Sequence, residues 1–175
     1  MIEIRALRER DNRASFRSGD ADLDRFFQQF AGQNQFRHHL GVTYVAVDDQ
    51  NVLAFATVAA AHVEVDELPA SVRRKLPRYP LPVLRLARLA VDRSAQGQGL
   101  GLQLLRFVLR LAVQMADDYG CVGVIVDAKP DAVAFYAKYG FLTVEALEGG
   151  SDARPAPTPM FLSIRAIRDA LGSRP

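Results

Sequence analysis

The sequence predicts a single α+β or α/β domain, spanning residues 1–175, whose helices pack on one central sheet. The chain has 175 residues, a length typical of one domain. Its hydrophobic residues make up 49% of the sequence, which is enough to form a core. Segments of strand period alternate with segments of helical period. Their order is β, α, β-β, β, α, β, α, β-β, followed by a final helix.

The first third of the chain is predicted to form a strand, a helix and a hairpin. The strand covers residues 2–7. The helix begins near Ser18 or Asp20, either of which can cap it. Two β-rich runs within residues 41–65 flank a polar turn at 48–51 and form the hairpin. The apolar residues that recur at helical spacing are Leu23, Phe26, Phe27, Phe30 and Ala31.

The centre of the chain is predicted to hold a loop, a strand and a long helix. Residues 68–82 contain four prolines and form a loop with one helical turn after Ser71. The strand is "VLRLARLAV", residues 83–91. After a glycine-rich segment, an amphipathic helix covers about residues 99–118 and ends at Gly120. Its apolar stripe consists of Leu104, Leu105, Val108, Leu111, Ala112 and Met115.

The last third is predicted to begin with a strand that is buried on both faces, because residues 121–128, "CVGVIVDA", are almost all apolar. A short helix follows, with Pro130 in its first turn and Gly140 after its last. The remaining predicted elements are strands at 141–146 and 158–164, a polar loop at 147–157 and a helix at 165–171.

Three glycines stand at every second position directly before the long helix, at Gly97, Gly99 and Gly101. We call residues 96–102 the glycine turn. A helix start offers about four unpaired backbone N–H groups and about half a positive charge, and glycines leave those groups open to an anion. The strand, turn and helix therefore predict a phosphate seat. A turn that needs glycine only for its backbone shape is the alternative.

Two better-known phosphate motifs do not fit the glycine turn. No lysine follows the glycines, which excludes a P-loop. Leu102 stands where the dinucleotide fingerprint needs its last glycine. The pattern that fits is Q-x-x-G-x-G, which begins at Gln96.

The net charge is only +2, but the basic residues are unevenly placed. No acidic residue lies between Leu68 and Val91, and a basic run of this kind attracts phosphates. A solvated surface is the alternative. The basic residues of this run are Arg73, Arg74, Lys75, Arg78, Arg85 and Arg88.

Several classes of protein are excluded by the sequence. No window reaches the ~18 consecutive apolar residues of a membrane span, and the charged N-terminus lacks the apolar core of a signal peptide. The single cysteine, Cys121, excludes an internal disulfide and fits the reducing cytoplasm. We interpret Cys121 as a buried small hydrophobe. His38 and His39 lack a third ligand, so no metal site is predicted.

Two segments resemble the GNAT N-acetyltransferases. One is the strand, glycine turn and helix at 83–116, and the other is "VDAKPDAVAFYAKYGF", residues 126–141. The resemblance implies the GNAT fold, a single mixed and mostly antiparallel sheet that is splayed at the cofactor site and has helices on both faces. It also implies acetyl-CoA (coenzyme A) as the cofactor. The implied cofactor-binding residues are Leu89, Ala90, Val91, Gln96, Gly97, Gln98, Gly99, Leu100, Gly101 and Leu102.

A narrower resemblance covers about residues 16–164 and concerns one branch of that family, the TacT- and AtaT-like toxins of bacterial toxin–antitoxin pairs. It is carried by "FRSGDADLDRFF", residues 16–27, and "LPRYPLPVLRLARLAVD", residues 76–92. Ser18 stands where the branch usually has cysteine. The resemblance implies acetyl transfer to the α-amine of aminoacyl-tRNA, which blocks translation. It also implies a small ribbon-helix-helix antitoxin as partner, and a homodimer by analogy.

Tyr136 is the predicted catalytic proton donor, because the resemblance places the family's catalytic tyrosine there. A phenol of pKa about 10 is protonated at neutral pH and can protonate a departing thiolate of pKa about 8.5. A packed structural tyrosine is the alternative. The backbone N–H groups of Leu89, Ala90 and Val91 are implied as donors to the oxyanion.

No carboxylate precedes Asp92 in the strand at 83–91, so no general base is evident. An α-amine of pKa about 7.7–8.0 is already partly neutral, whereas a lysine amine has a pKa of about 10.4. The missing base therefore fits an α-amine acceptor, and equally a water chain or a base elsewhere in the chain.

The basic run is predicted to bind RNA. Arg85 and Arg88 occupy odd and even strand positions, so only one of them is expected to face an acceptor groove. An acetyltransferase of a small amine or a protein N-terminus and a non-catalytic CoA-binding regulator are the alternatives. The residues predicted to contact tRNA phosphates are Arg73, Arg74, Lys75, Arg78 and Arg88.

Overall fold

A computed structural model describes residues 1–144 and 157–172 of the chain. The strands within these residues are β1 (Ile2–Ala6), β2 (Val42–Asp48), β3 (Asn51–Val63), β4 (Leu81–Val91), β5 (Gly123–Ala128), β6 (Leu142–Thr143) and β7 (Thr158–Ser163). The α-helices are α1 (Ala21–Arg25), α2 (Ala31–Phe36), α3 (Ala70–Arg73), α4 (Leu100–Asp118), α5 (Val133–Lys138) and α6 (Ile164–Gly172). Shorter turns are a π-helical segment at Phe26–Phe30 and 3₁₀ turns at Val65–Glu67, Arg93–Ala95 and Pro130–Ala132.

The strands form one sheet in the order β1-β2-β3-β4-β5-β7-β6. The pairs β1/β2, β2/β3, β5/β7 and β6/β7 are antiparallel. The neighbours β4 and β5 are joined through α4, the kind of crossover that parallel strands need. The predicted mixed, mostly antiparallel sheet with helices is therefore confirmed. Among residues 1–144 and 157–172, none of the helices has the length and apolar character needed to cross a membrane.

The chain forms two compact units. Unit 1 comprises Met1–Ala59 and Leu86–Val108, and unit 2 comprises Ala60–Arg85 and Leu109–Pro175. The single domain over residues 1–175 stays a prediction.

Packed aromatic rings form the centre of the unit 1 core. Phe27 stacks flat on Phe55, with ring centroids 4.4 Å apart. Phe16 meets both rings edge-on, at 4.9 and 5.3 Å. The helix that carries Phe27 is capped by Asp20, which accepts from the N–H groups of Asp22 and Leu23, so the second of the two predicted caps is confirmed.

A π turn lies directly after α1. The Ala31 N–H donates to the carbonyl oxygen of Phe26, five residues earlier. The wider turn changes the angular spacing of the apolar side chains. Phe26 and Phe27 are buried, but Phe30 is 42% exposed. Phe30, although it follows the helical spacing of the apolar residues, therefore does not lie on the buried face.

The predicted hairpin is formed by β2 and β3. Asp48 pairs with Asn51 across the turn. Asp49 has a φ of +54°, a conformation that Asp and Asn adopt more readily than most residues. The buried hydroxyls of Thr43 and Thr57 share a hydrogen bond of 2.8 Å, so burial leaves neither hydroxyl unsatisfied.

The proline loop of unit 2 is anchored by apolar side chains. The predicted helical turn is α3, which begins at Ala70, one residue before Ser71. Because the apolar residues of this loop pack inward, its cations stay on the surface. The loop's anchoring residues are Val65, Leu68, Val72, Leu76, Leu81 and Val83, which join Ile125 and Phe161 in one cluster.

The long helix α4 buries most of its predicted stripe. Leu109 is buried and Leu111 is only half-buried, so the prediction is wrong at one position of the stripe. The N–H groups of Tyr119 and Gly120 both donate to the Met115 carbonyl, and Gly120 has a φ of +106°. Gly120 therefore ends the helix as predicted. The buried residues of the predicted stripe are Leu104, Leu105, Val108, Ala112 and Met115.

The C-terminal strands and helices follow the predicted order. Every residue of β5 except Asp127 is buried. Cys121 is 8% exposed, and its thiol donates to the Gly123 carbonyl at 3.2 Å, which confirms its interpretation as a buried residue. Of the predicted strand at 141–146, the structure shows β6; residues 145–156 lie outside the described residues.

An ion pair with two hydrogen bonds links β1 to the segment that follows it in unit 1. The Arg5 guanidinium donates to the Asp11 carboxylate at 2.9 and 2.7 Å, and the Arg8 N–H donates to the same carboxylate at 2.7 Å. The two side chains are only 15% and 11% exposed. The hydrogen bond from Arg5 lowers the pKa of Asp11 below its ordinary value of 3.8, against the opposing effect of burial.

Asp11→Asn is expected to lower the free energy of unfolding by about 2 kcal/mol, because it removes charge-assisted hydrogen bonds from a poorly exposed pair. Since the folded-state pKa of Asp11 is depressed, the stabilisation is full above pH 3.8 and is lost as the pH falls through the folded-state pKa. Urea denaturation at neutral pH and at about pH 3 measures both effects.

The matched control is Asp22→Asn, since Asp22 forms an ion pair with Arg25 in which both side chains are largely exposed, 79% and 63%. This change should alter stability little. If Asp11→Asn retains the acid sensitivity of the unmodified protein, the role given to Asp11 is wrong.

Candidate active site

The glycine turn connects β4 to α4 and is open at its glycines. Gly97 has a φ of +79° and Gly99 a φ of +82°, so the backbone shape requires glycine at both positions. A Cβ at either position would meet no atom within 4 Å. The turn therefore needs glycine for its backbone shape, as the structural alternative states. It also has the open space that an anion seat needs.

The first turn of α4 provides backbone donors. The Gln103 N–H donates to the Gly99 carbonyl at 3.1 Å, so the N–H groups of Leu100, Gly101 and Leu102 precede the intrahelical bonding. Leu100 is 1% exposed as a whole residue, so its side chain packs in the core and does not contact a ligand. These donors and the partial positive charge of the helix start favour an anion.

Gln96 fixes the shape of the glycine turn. Its side-chain amide donates to the carbonyl oxygens of Ser18 at 2.8 Å and Val91 at 3.0 Å. The glutamine that begins the Q-x-x-G-x-G pattern therefore ties the turn to the end of β4 and to the loop before α1. Both N–H donors of its side chain are already used, so the side chain has no free donor for the phosphates of a cofactor.

Asp92 also binds the loop before α1, and its carboxylate is already engaged in hydrogen bonds. Its carboxylate accepts from the Arg17 N–H at 2.9 Å and from the Ser94 N–H and hydroxyl at 3.0 and 2.7 Å. Burial raises the pKa of Asp92, but these hydrogen bonds outweigh burial and the pKa is lowered. No local pattern predicts this link between Arg17 and Asp92, because the two residues are 75 positions apart.

The two arginines of β4 differ in their partners. Arg85 forms an ion pair with Asp127 at 2.6 Å. The Arg88 guanidinium lies over the Phe26 ring, 3.7 Å from its centroid, and no carboxylate of the described residues pairs with it. Burial lowers the pKa of Arg88. Arg88 is therefore the strand arginine with capacity for an anion, stacked on an aromatic face.

Tyr136 lies on α5 with its ring buried. The residue is 4% exposed, and its ring packs edge-on against Phe135 and Phe141 at 5.1 and 5.4 Å. Burial raises the pKa of Tyr136 well above its ordinary value of 10.0. The phenol is therefore protonated at neutral pH.

The Tyr136 hydroxyl takes no part in the hydrogen bonds that hold the described residues together. It makes no hydrogen bond within the described residues, and the one fully buried side-chain nitrogen or oxygen there without a partner is Arg5 Nε. The hydroxyl oxygen therefore reaches accessible space although the ring is buried. This arrangement suits a proton donor better than a purely structural tyrosine, whose hydroxyl normally has a partner.

The basic loop, residues 73–78, carries its cations on the surface of unit 2. Across the part of the chain that the structure describes, none of them forms an ion pair, in contrast to Arg85. The exposed cations are Arg73, Arg74, Lys75 and Arg78.

The predicted site residues divide between the units. Unit 1 contains residues 89–91, the glycine turn and Arg88, whereas unit 2 contains Tyr136 and the basic loop. No group of three or more His, Cys, Asp or Glu within residues 1–144 and 157–172 is arranged to hold a metal ion.

An anion seat at a helix start and a donor that is protonated at neutral pH are what acyl transfer from a phosphate-bearing thioester uses. The acetyltransferase (GNAT) family profile matches residues 1–141, and the chain belongs to this family. It is an acyltransferase, and its acetyl donor is acetyl-CoA. The glycine turn has room for the diphosphate of that donor, because no atom lies within 4 Å of the position that a Cβ would take at Gly97 or Gly99.

This chain is similar in sequence or in fold to other proteins over most of its length and of theirs. A tRNA-acetylating toxin of Mycobacterium tuberculosis is 39% identical over 140 residues, which cover 78% of this chain and 82% of that protein. The structure of AtaT complexed with acetyl-methionyl-tRNAfMet has a TM-score of 0.83 at 24% identity and covers 98% of this chain and 99% of that chain. A tyrosine-to-phenylalanine variant of AtaT, bound to the C-terminus of the antitoxin AtaR and acetyl-CoA, has a TM-score of 0.78 at 21% identity and covers 99% of each chain.

Gly99→Ala is expected to weaken acetyl-CoA binding about tenfold, because the methyl group enters the open space beside the backbone donors and the positive φ costs about 1–2 kcal/mol in a residue with a Cβ. Isothermal titration calorimetry with acetyl-CoA measures the affinity, and circular dichroism checks the fold.

Gly172→Ala is the control, since a Cβ there also meets nothing within 4 Å but lies at the end of α6. Its acetyl-CoA affinity should stay unchanged. Unaltered affinity in Gly99→Ala would remove the glycine turn from the cofactor site.

Proposed function

We propose that this enzyme transfers the acetyl group of acetyl-CoA to the α-amine of aminoacyl-tRNA and thereby blocks translation. The observation that carries the proposal is the basic loop, whose four exposed cations, Arg73, Arg74, Lys75 and Arg78, have no carboxylate partner in the described residues. A phosphate backbone supplies the missing counter-charge. The tRNA-acetylating relative at 39% identity supports the same assignment.

The chain's own groups divide the catalytic work. Acetyl-CoA, when bound, supplies a thioester carbonyl that the amine can attack. Backbone N–H groups of Leu89, Ala90 and Val91 donate hydrogen bonds to the oxygen where negative charge develops. The Tyr136 hydroxyl, kept protonated by burial, gives its proton to the departing thiolate as the C–S bond breaks. The proton that the attacking nitrogen loses on forming the amide passes through water and restores the phenol.

The acceptor needs little help from a base. Asp92 accepts three hydrogen bonds from Arg17 and Ser94, and its lowered pKa makes it a weak base for the amine. An α-amine of pKa about 7.7–8.0 is partly neutral at physiological pH, and its ester-linked form is more acidic still. This chemistry favours aminoacyl-tRNA over a lysine side chain as the acceptor.

The remaining assignments follow from this substrate. Arg88, stacked on Phe26, contacts a phosphate of the bound RNA, and the glycine turn binds the diphosphate of acetyl-CoA. The enzyme acts in the cytoplasm, where aminoacyl-tRNA is found. A small ribbon-helix-helix antitoxin neutralises it, in line with the antitoxin-bound AtaT of similar fold, and the active form is a homodimer.

Tyr136→Phe is expected to lower kcat by about 10²–10⁴, because it removes the proton of a general acid and keeps the ring. Acetyl-CoA affinity should not change. Steady-state kinetics with acetyl-CoA and aminoacyl-tRNA measure kcat, and calorimetry measures the affinity.

Tyr139→Phe provides the control on the same short helical segment, because Tyr139 packs on Phe135 and has no part in the proposed mechanism. It should turn over like the unmodified enzyme. A Tyr136→Phe enzyme with full kcat would exclude the phenol as the acid.

Arg73→Glu/Arg74→Glu is expected to lower kcat/KM for aminoacyl-tRNA by about 10²-fold through lost phosphate contacts, and to reduce the salt dependence by about 0.7–0.9 in log–log slope per contact. Acetylation of a small amine should persist. Incubation with radiolabelled acetyl-CoA and a pool of aminoacyl-tRNAs, followed by precipitation of the RNA, measures the transfer.

The charge-matched control is Arg106→Glu/Arg110→Glu, two exposed arginines of α4, which should label tRNA normally. If the unmodified enzyme acetylates small amines but places no label on any aminoacyl-tRNA, the proposed function is wrong and the small-amine alternative holds.

A further inference from the structure

Tyr79 is the one aromatic residue of the proline loop, residues 68–82. The residue is 60% exposed, and its ring and hydroxyl contact no partner within the described residues. It directly follows Arg78 and lies within seven residues that also hold Arg73, Arg74 and Lys75. A single exposed tyrosine is common on protein surfaces, but Tyr79 differs in the rigid, cationic segment around it.

The loop holds Tyr79 in place from both sides. Leu76 packs against the unit 2 core, and Leu81 is buried in it at 3% exposure. Pro77 and Pro80 restrict the backbone between these anchors. The Pro82 carbonyl accepts from the Val122 N–H at 2.8 Å. An aromatic ring on such a constrained segment loses little conformational entropy when a ligand binds.

The cations around Tyr79 favour binding of an anionic polymer. The four cations of the basic loop are exposed and unpaired in the described residues. The acidic groups that precede them in sequence are partly used, because Glu64 and Glu67 form a reciprocal cap on the 3₁₀ turn Val65–Glu67. A cationic surface with an aromatic ring in its middle is the combination that binds single-stranded nucleic acid, through the backbone and a stacked base.

We infer that Tyr79 is a stacking platform for an unpaired base of the RNA acceptor, with the cations of the basic loop on the flanking phosphates. The inference rests on the proposed function and adds the part of the RNA that is recognised. Only an unpaired nucleotide exposes its face to an aromatic side chain. The unpaired end of tRNA, to which the amino acid is attached, meets this requirement, whereas its double-stranded stem does not.

The test measures binding of the full chain to two RNA probes, a single-stranded oligonucleotide that ends in CCA and a blunt duplex of equal length. Tyr79→Ala should weaken binding of the single strand about 5- to 100-fold, the loss expected for one stacked base, and leave duplex binding unchanged. Tyr79→Phe should restore single-strand binding, because it retains the ring. The KM for aminoacyl-tRNA should rise in Tyr79→Ala, while kcat for a small amine stays the same.

Tyr119→Ala is the matched control, since Tyr119 is 76% exposed but follows Asp117 and Asp118 instead of cations. It should bind both probes normally. Equal loss on single strand and duplex, failure of Tyr79→Phe to restore binding, or unchanged binding in Tyr79→Ala each overturns the inference. Loss of binding to an acidic peptide with no loss on RNA also overturns it, because the surface then serves a protein partner.

The outcome is separable from that of the proposed function. If the unmodified chain acetylates aminoacyl-tRNA but Tyr79→Ala binds RNA normally, the function stands and the stacking role is wrong. If the chain binds the single-stranded probe through Tyr79 but acetylates no aminoacyl-tRNA, the stacking role stands and the proposed function is wrong.

Discussion

The hydrogen bonds that Asp92 and Gln96 make to the loop at residues 17–18 determine the shape of the glycine turn. Asp92 accepts from the Arg17 N–H, and Gln96 donates to the Ser18 carbonyl. Glycines at 97 and 99 alone would make a flexible segment, because they have no side chain to restrict them. The hydrogen bonds of Asp92 and Gln96 hold this segment in one open conformation. Its backbone donors are therefore arranged before a ligand arrives, and less entropy is lost on binding.

The cations of this chain differ in whether a carboxylate partners them. Arg5 and Arg85 each have a carboxylate, Asp11 and Asp127, and they stabilise the fold. Arg88 has only the face of an aromatic ring, and the basic loop has no ion pair among the described residues. A half-buried or clustered cation without a counter-ion carries an electrostatic cost that a bound anion removes, which is why these groups support an RNA substrate.

The sequence predicts elements well where one local rule decides them. The hairpin turn, the C-terminal glycine of α4 and the burial of Cys121 follow from residue type and spacing, and the structure confirms them. The exposure of Phe30 was not predictable from spacing, because a π turn changes the helical period without a mark in the apolar pattern. The different roles of Arg85 and Arg88 depend on Asp127, which is 42 positions from Arg85, and the side-chain role of Gln96 depends on Ser18, 78 positions away. Contacts of this range require the fold.

The burial of Tyr136 has a consequence for how the rate responds to acidity. Its phenol stays protonated well beyond neutral pH, and the carboxylate of Asp92, with its lowered pKa, stays ionised. Neither group changes charge in the range where an α-amine of pKa about 7.7–8.0 gains or loses its proton. An increase in rate across that range therefore reports the ionisation of the incoming nucleophile, so different acceptors should give the same enzyme different pH profiles.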